Sequence, residues 1–140
     1  MKILILQGPN LNLLGLKSSK LGERYTLDKL NRDLRRYVRG KDIDLKILQT
    51  HKRYLSLNFI HYNRTLADGL LIIPTSWARN NWELKEAIDL VNIKTAAIYF
   101  NEQYSFGTSQ KKSIFVSKNI KSFTGNPLES CTNAVDYFKK

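Results

Sequence analysis

The sequence predicts an α/β fold of the doubly wound class, in which helices cover both faces of a five-stranded parallel sheet. Two observations support this prediction. Short apolar runs without strict alternation recur along the 140 residues, which is typical of strands buried on both faces of a parallel sheet. Amphipathic segments with helical spacing lie between these runs, and this alternation is the pattern of βαβ units.

Five short segments have the pattern of strands. The first is followed by Gly8-Pro9 and the third by Pro74, and these residue types interrupt regular structure. The predicted strands are KILIL at residues 2–6, DLKILQ at 44–49, GLLII at 69–73, KTAAIYF at 94–100 and IKSFT at 120–124.

Four helices are predicted between and after these strands. Thr26 has the residue type of an N-cap for the first helix. Asn80 followed by Glu83 resembles a capping arrangement for the third, and Asn126 with Pro127 starts the last. The apolar stripes of the first three helices are Leu27, Leu30, Leu34 and Val38; Tyr54, Leu57 and Ile60; and Leu84, Ile88 and Val91.

The order of these elements, β-α-β-α-β-α-β-loop-β-α, is that of a flavodoxin-like doubly wound sandwich. No repeat or linker divides the chain, so residues 1–140 are expected to form a single domain. Ligands of such sheets bind beyond the carboxyl ends of the strands. Three segments are therefore expected to meet there: GPNLNLLG at residues 8–15, PTSWARNN at 74–81 and YFNEQYSFG at 99–107.

Composition narrows the classes of function. No apolar run is long enough to span a bilayer, and the N-terminal run is too short for a signal peptide. A cytoplasmic protein without a membrane partner is therefore expected. The two histidines and the single cysteine, Cys131, are widely separated, which gives no metal-site spacing and no internal disulfide. Cys131 is expected to be a small buried residue, and no cofactor is expected.

The formal net charge of +11 is concentrated in the first half of the chain. Residues 1–64 contain 14 Lys or Arg and 5 Asp or Glu, whereas residues 65–140 contain 9 and 7. The densest basic segment is RDLRRYVRGK at residues 32–41. Such a segment is compatible with a solvated helix face or with binding of a polyanion such as nucleic acid. No recognised nucleic-acid motif accompanies it, so a nucleic-acid partner is not expected.

Motifs spread over nearly the whole chain carry a family resemblance. The opening MKILILQGPNLNLLG, TLDKL at residues 26–30, LQT at 48–50 and ADGLLIIP at 67–74 have characteristic order and spacing. In these motifs the chain resembles type II 3-dehydroquinate dehydratases. The resemblance implies a lyase that removes water from 3-dehydroquinate through an enolate, without metal or cofactor. It also implies trimers that assemble into dodecamers, so a homo-oligomer is expected.

The residues that the resemblance implies for acid–base chemistry are mostly replaced. In that family a loop tyrosine assisted by an arginine is the base, and a histidine oriented by a glutamate is the acid. By position, the arginine falls at Lys17 and the tyrosine at Gly22, with Tyr25 three residues later. The glutamate and histidine fall at Ala97 and Tyr99. A tyrosine with a pKa of roughly 10 is a poor proton donor at neutral pH.

The positions that the resemblance implies for substrate binding have also changed. The family's Asn-Pro-Gly-Ala falls at Ile73-Pro74-Thr75-Ser76, and the isoleucine side chain can form no hydrogen bond. A substrate-contacting histidine falls at Arg79, and a later arginine falls near Gln110. The asparagine of GPNLN, Asn10, is retained.

The sequence therefore predicts a dehydratase-like protein that has lost this activity and serves in small-anion binding or assembly. Its candidate ligand-binding residues are Asn10, Asn12, Lys17, Thr75, Ser76, Arg79 and Asn101. Three alternatives remain open: an active dehydratase with a rearranged site that uses Tyr25 and Tyr99, a different enzyme acting on another anionic cyclic substrate, and a polyanion-binding protein. Trp77 and Tyr99 are compatible with the walls of a pocket or with the filling of a vacated cavity.

Overall fold

The computed structural model describes the backbone of residues 1–140 and the side chains of residues 1–101 and 103–140. Five strands form one all-parallel sheet in the order β2-β1-β3-β4-β5. The strands are β1 (Lys2–Gln7), β2 (Asp44–Gln49), β3 (Gly69–Ile73), β4 (Thr95–Phe100) and β5 (Ile120–Gly125). The prediction of a flavodoxin-like doubly wound α/β fold is confirmed.

Six helices accompany the sheet. They are α1 (Leu14–Ser19), α2 (Leu27–Val38), α3 (Arg53–Asn63), α4 (Trp77–Asn80), α5 (Trp82–Val91) and α6 (Pro127–Phe138). The four longer ones confirm the predicted helices. The short helices α1 and α4, and 3₁₀ turns at Leu11–Leu13, Glu102–Tyr104 and Gln110–Lys112, were not predicted because such short pieces carry no measurable periodicity.

Side-chain caps fix where α2, α5 and α6 begin. The Thr26 hydroxyl accepts the Lys29 N–H at 3.2 Å, and the Asn126 amide oxygen accepts the Glu129 N–H at 2.8 Å, as predicted. The cap predicted at Asn80 was wrong by one residue, because α4 occupies that position. The oxygen of Asn81 caps α5, accepting the Leu84 N–H at 3.3 Å.

The two faces of the sheet bury separate apolar layers, because alternate strand side chains point to opposite faces. Helices α2 and α6 cover one face, and α3 and α5 cover the other. The first layer includes Ile3, Ile5, Leu30, Leu34, Cys131 and Val135. The second includes Leu4, Leu6, Ile60, Leu84, Ile88 and Trp77. Cys131 is fully buried, as predicted. Over the described part of the chain, no helix combines the length and apolar content that crossing a bilayer requires.

Candidate functional site

The three segments predicted to share the carboxyl edge of the sheet are in contact. The Gly8 N–H donates to the Ile73 carbonyl at 2.9 Å, which joins the ends of β1 and β3. A Cβ atom at Gly8 would lie 2.4 Å from the Pro74 carbonyl oxygen, so only glycine permits this close crossing. The third segment reaches the second at Gly107, whose backbone lies against the backbone of Ser76.

The loop after β1 is held in a left-handed turn. Asn10 has φ of 67°, a conformation that asparagine tolerates better than most residues. Its N–H donates to Nδ1 of His51 at 3.2 Å. This hydrogen bond ties the loop after β2 to the loop after β1.

Thr75 has an unusual backbone for a β-branched residue. Its φ is 51°, in the left-handed region, and its side chain is buried. The resemblance places a glycine at this position, so the backbone has the form that a glycine would adopt without strain. The Thr75 hydroxyl donates to the Pro9 carbonyl at 2.8 Å and holds the turn against β1.

An open cavity of about 440 Å³ adjoins this edge. We call it the Lys17 groove; its lining residues are Asn10, Leu13, Leu16, Lys17, Lys20, Phe106 and Gly107. The Lys17 ammonium lies 4.8 Å from the centre of the Phe106 ring, within cation–π range. Within the described side chains, neither Lys17 nor Lys20 forms an ion pair. The groove therefore combines positive charge with apolar surface.

The residue at the position that the resemblance implies for the acid lies in a closed environment within the second apolar layer. Tyr99 is 4% exposed, and its hydroxyl donates to the Ser113 hydroxyl at 2.5 Å. Burial raises the pKa of the Tyr99 phenol, and hydrogen bonds with the Ser113 and Ser122 hydroxyls only partly oppose this. Ile73 is 2% exposed and belongs to the first apolar layer, whereas Tyr99 belongs to the second, on the other face of the sheet. A cavity of about 10 Å³, the size of one water, is lined by Ile73, Tyr99 and Thr108 among other residues. The Thr108 hydroxyl that borders this cavity has no hydrogen-bond partner among the described residues.

Tyr25 lies in a different groove, of about 270 Å³, together with Tyr104 and the start of α6. The Tyr25 hydroxyl donates to the Asp33 carboxylate at 2.9 Å. Burial, followed by this hydrogen bond to a negative group, raises the Tyr25 pKa well above its usual value. The Tyr104 hydroxyl donates to Glu23, and chiefly this bond raises the pKa of Tyr104 to about 12. Both phenols are held in the protonated form.

The other predicted site residues have separate surroundings. Asn12 and Arg79 are exposed at the same edge of the sheet. Among the described residues, Asn101 has a buried amide oxygen without a hydrogen-bond partner. Trp77 is 3% exposed within the second apolar layer, so the structure favours cavity filling over a pocket wall for this residue. In the described chain, no group of three or more His, Cys, Asp or Glu side chains is placed to hold a metal ion.

Sequence reasoning missed several residues that shape the site. Leu13, Leu16, Lys20 and Phe106 line the Lys17 groove, and Thr108 borders the small cavity beside Tyr99. Phe106 and Thr108 lie in a loop without regular periodicity, so no pattern in the sequence signals where their side chains point.

The fold and this edge define a doubly wound α/β protein with its candidate site beyond the strand carboxyl ends. The chain matches the sequence model of the family described as Dehydroquinase class II over residues 1–139. It therefore belongs to the class II dehydroquinase family, which confirms the resemblance seen in the sequence.

Named relatives agree with this membership, and a solved structure shares the fold. The chain is 31% identical over 103 residues to 3-dehydroquinate dehydratase of Trichodesmium erythraeum, a match that covers 74% of this chain and 69% of the relative. It is 24% identical over 144 residues to the protein of that name from Carboxydothermus hydrogenoformans, covering 100% and 94%. The crystal structure of type II dehydroquinase from Butyrivibrio crossotus superposes with a TM-score of 0.85 at 22% identity, covering 100% of this chain and 98% of that one.

Proposed function

We propose that this chain is a non-catalytic member of the class II dehydroquinase family that binds a small organic anion in the Lys17 groove. Relatives carry the name 3-dehydroquinate dehydratase. The resemblance implies that their reaction needs a proton acceptor, a proton donor and a polar anchor for the substrate. The proposal rests on what occupies those three positions here.

The observation that carries the proposal is the environment of Tyr99. A general acid must reach the leaving group and release its proton near neutral pH. Tyr99 is buried, its proton is engaged by Ser113, and burial raises the phenol pKa. Ile73, at the position that the resemblance implies for a substrate-binding asparagine, has no polar side-chain atom for a substrate hydroxyl. The cavity of about 10 Å³ that both residues line is too small for a cyclic substrate.

The position of the base supports the same conclusion. Gly22 stands where the resemblance places the catalytic tyrosine, so no side chain is available there. Tyr25, the nearest phenol in sequence, donates to Asp33 and has a raised pKa. A phenolate next to a carboxylate is electrostatically unfavourable, so Tyr25 is a poor proton acceptor.

The Lys17 groove retains the features of an anion site. Two ammonium groups, Lys17 and Lys20, line a cavity of about 440 Å³ that also exposes leucine and phenylalanine surface. Such a mixture suits a small carboxylate or phosphate that carries an apolar body. Asn10 lies in the same groove and can add an amide hydrogen bond. The remaining residues that we propose to contact the anion at this edge are Asn12, Thr75, Ser76, Arg79 and Asn101.

The binding proposal is tested by thermal unfolding in the presence of benzoate, quinate, citrate and inorganic phosphate. At least one of these anions is expected to raise Tm, because a ligand that binds only the folded state stabilises it. Lys17→Ala/Lys20→Ala is expected to abolish the shift. Lys111→Ala/Lys112→Ala removes the same charge from an exposed turn and is expected to keep it. Equal shifts in the two double variants would contradict a site in the groove.

A second candidate function is an active dehydratase with a rearranged site. The names of the relatives and the retained Asn10 favour it. In this case Tyr25 would have to leave Asp33 and move toward the Lys17 groove, with Tyr99 as the acid. Saturable formation of the enone product from 3-dehydroquinate, lost in Tyr25→Phe, would establish this function and overturn the first proposal.

We propose further that residues 1–140 act as one domain in a cytoplasmic homo-oligomer, either a trimer or a dodecamer. The support is the family membership of the chain, together with the resemblance stated above. Light scattering coupled to size-exclusion chromatography tests the assembly, since the monomer is 16.2 kDa. A monomer at micromolar concentration would contradict this proposal.

A further inference from the structure

Helix α2 presents a compact cluster of arginines on its solvent side. We call Arg32, Arg35, Arg36 and Arg39 the arginine face; the first three lie on α2, and Arg39 is its C-cap. All four residues are exposed. Spacings of three, four and seven residues place them on one side of the helix. The opposite side is the buried stripe of Leu27, Leu30, Leu34 and Val38.

This face is poorly neutralised by the rest of the protein. The one ion pair to it among the described side chains joins Arg36 to Asp33 at 3.8 Å. Asp33 also accepts the Tyr25 hydroxyl, so its charge is shared. Like charges four residues apart, as in Arg32 with Arg36, repel one another on a helix. An external anion that binds the arginine face would therefore reduce the repulsion among these arginines.

An open cavity of about 420 Å³ adjoins the arginine face. Arg35 and Arg39 line it together with Asp42 and Asp44. The arginines and aspartates of this cavity form no ion pair with each other within the described residues. The remaining lining is Val38, Gly40, Ile43 and Leu45, which adds apolar surface. Cations, hydrogen-bond acceptors and apolar surface therefore face one space.

This combination fits one nucleotide of an RNA strand. Guanidinium groups bind phosphate oxygens with two parallel hydrogen bonds. Carboxylates accept hydrogen bonds from ribose hydroxyls. A simple inorganic anion would gain nothing from Asp42 and Asp44. We propose that single-stranded RNA binds along the arginine face, with one nucleotide in the adjoining cavity.

A membrane surface fits the same arginines less well. Helices that lie on bilayers insert large apolar side chains beside their basic residues. In the described structure α2 exposes no large apolar side chain, because its leucines and valine are buried. The arginine face also lies away from the Lys17 groove, since Asp44 begins β2 whereas the groove adjoins the strand carboxyl ends. The RNA proposal therefore does not depend on the proposed function.

Fluorescence anisotropy with a fluorescein-labelled twelve-residue oligouridylate tests the proposal on the full chain. Saturable binding at low salt is expected, and Arg35→Ala/Arg39→Ala is expected to weaken it about tenfold. In the same variant, the plot of the logarithm of the binding constant against the logarithm of the salt concentration should be less steep by about 1.4. Each phosphate contact contributes roughly 0.7 to this slope for a single strand. Lys111→Ala/Lys112→Ala, with the same change in net charge, should retain affinity within about twofold. Equal losses in both double variants, or no saturable binding, would overturn the proposal.

Two further binding measurements distinguish specific RNA binding from simple charge attraction. Arg35→Lys/Arg39→Lys keeps the charge and removes the planar fork, so a partial loss of affinity is expected. Oligodeoxyuridylate lacks the 2′-hydroxyl and should bind more weakly than the RNA, and Asp42→Asn/Asp44→Asn should reduce this difference. Equal affinity of the wild type for both oligonucleotides would overturn the RNA assignment. Co-sedimentation with phosphatidylcholine–phosphatidylserine vesicles, without RNA binding, would assign the face to membranes instead.

Discussion

The Thr75 hydroxyl donates to the Pro9 carbonyl at 2.8 Å and links the turns that follow β3 and β1. This bond holds a β-branched residue at φ of 51°. A non-glycine residue in such a region costs of order 1–3 kcal/mol. The bond therefore secures a strained turn at the edge where the candidate site lies.

The two roles of Thr75 can be separated by substitution. Thr75→Ala keeps the strained backbone and loses the hydrogen bond, so the free energy of unfolding should fall by about 1–3 kcal/mol. Thr75→Gly loses the same bond and relieves the strain, so it should be more stable than the alanine variant. Urea denaturation measures both. A glycine variant that is less stable than the alanine variant would contradict the strain at this position.

Gly107 is predicted to be essential for packing its loop against the turn at Ser76. A Cβ atom there would lie 2.8 Å from Ser76 Cα, and φ is +73°. Gly107→Ala should lower the free energy of unfolding by more than about 2 kcal/mol and weaken anion binding in the Lys17 groove.

Gly22→Ala is the matched control for Gly107→Ala. Gly22 has φ of +76°, but a Cβ atom there would meet nothing within 4 Å. The Gly22→Ala variant therefore measures the cost of the positive φ without a steric clash. Its free energy of unfolding should fall by less than that of Gly107→Ala. Equal losses in urea denaturation for the two variants would show that the contact with Ser76 contributes nothing.

The bond between Tyr104 and Glu23 predicts a pH dependence of stability. The pKa of Tyr104 is raised from 10.0 to about 12 in the folded protein. The stabilisation is therefore fully present below pH 10 and is lost as pH rises toward 12, because the unfolded chain releases the proton first. Tyr104→Phe should flatten the decline in unfolding free energy between these pH values.

Tyr62→Phe serves as the control for the tyrosine experiment, since Tyr62 is 76% exposed. Its alkaline profile should follow that of the wild type. Denaturant unfolding at a series of pH values above 9 gives all three profiles. Identical profiles for Tyr104→Phe and the wild type would mean that the hydrogen bond does not contribute to stability.

Local sequence signals were sufficient for most of the fold. Buried strands such as GLLII have a pattern that depends only on their own residues, and the caps at Thr26 and Asn126 act within one turn. The choice between Asn80 and Asn81 as a cap was not local. The Asn80 amide oxygen accepts a hydrogen bond from Arg53 at 2.5 Å, which leaves Asn81 to cap α5.

The site was less predictable because tertiary contacts determine it. No sequence rule places threonine at positive φ, so the turn at Thr75 depends on its partner Pro9. Tyr25 lies near the expected edge in sequence, but its bond to Asp33 holds it in another groove. Phe106 belongs to an irregular loop whose path is set by contacts such as that of Gly107 with Ser76.

The proposed loss of dehydratase chemistry at this site can be tested directly. The most direct measurement is steady-state ultraviolet absorbance for enone formation from 3-dehydroquinate, with this protein at high concentration and the Trichodesmium erythraeum relative as the positive control. No saturable turnover is expected, because Tyr99 is buried and Gly22 supplies no base. Saturable turnover that scales with protein concentration would contradict the proposed loss.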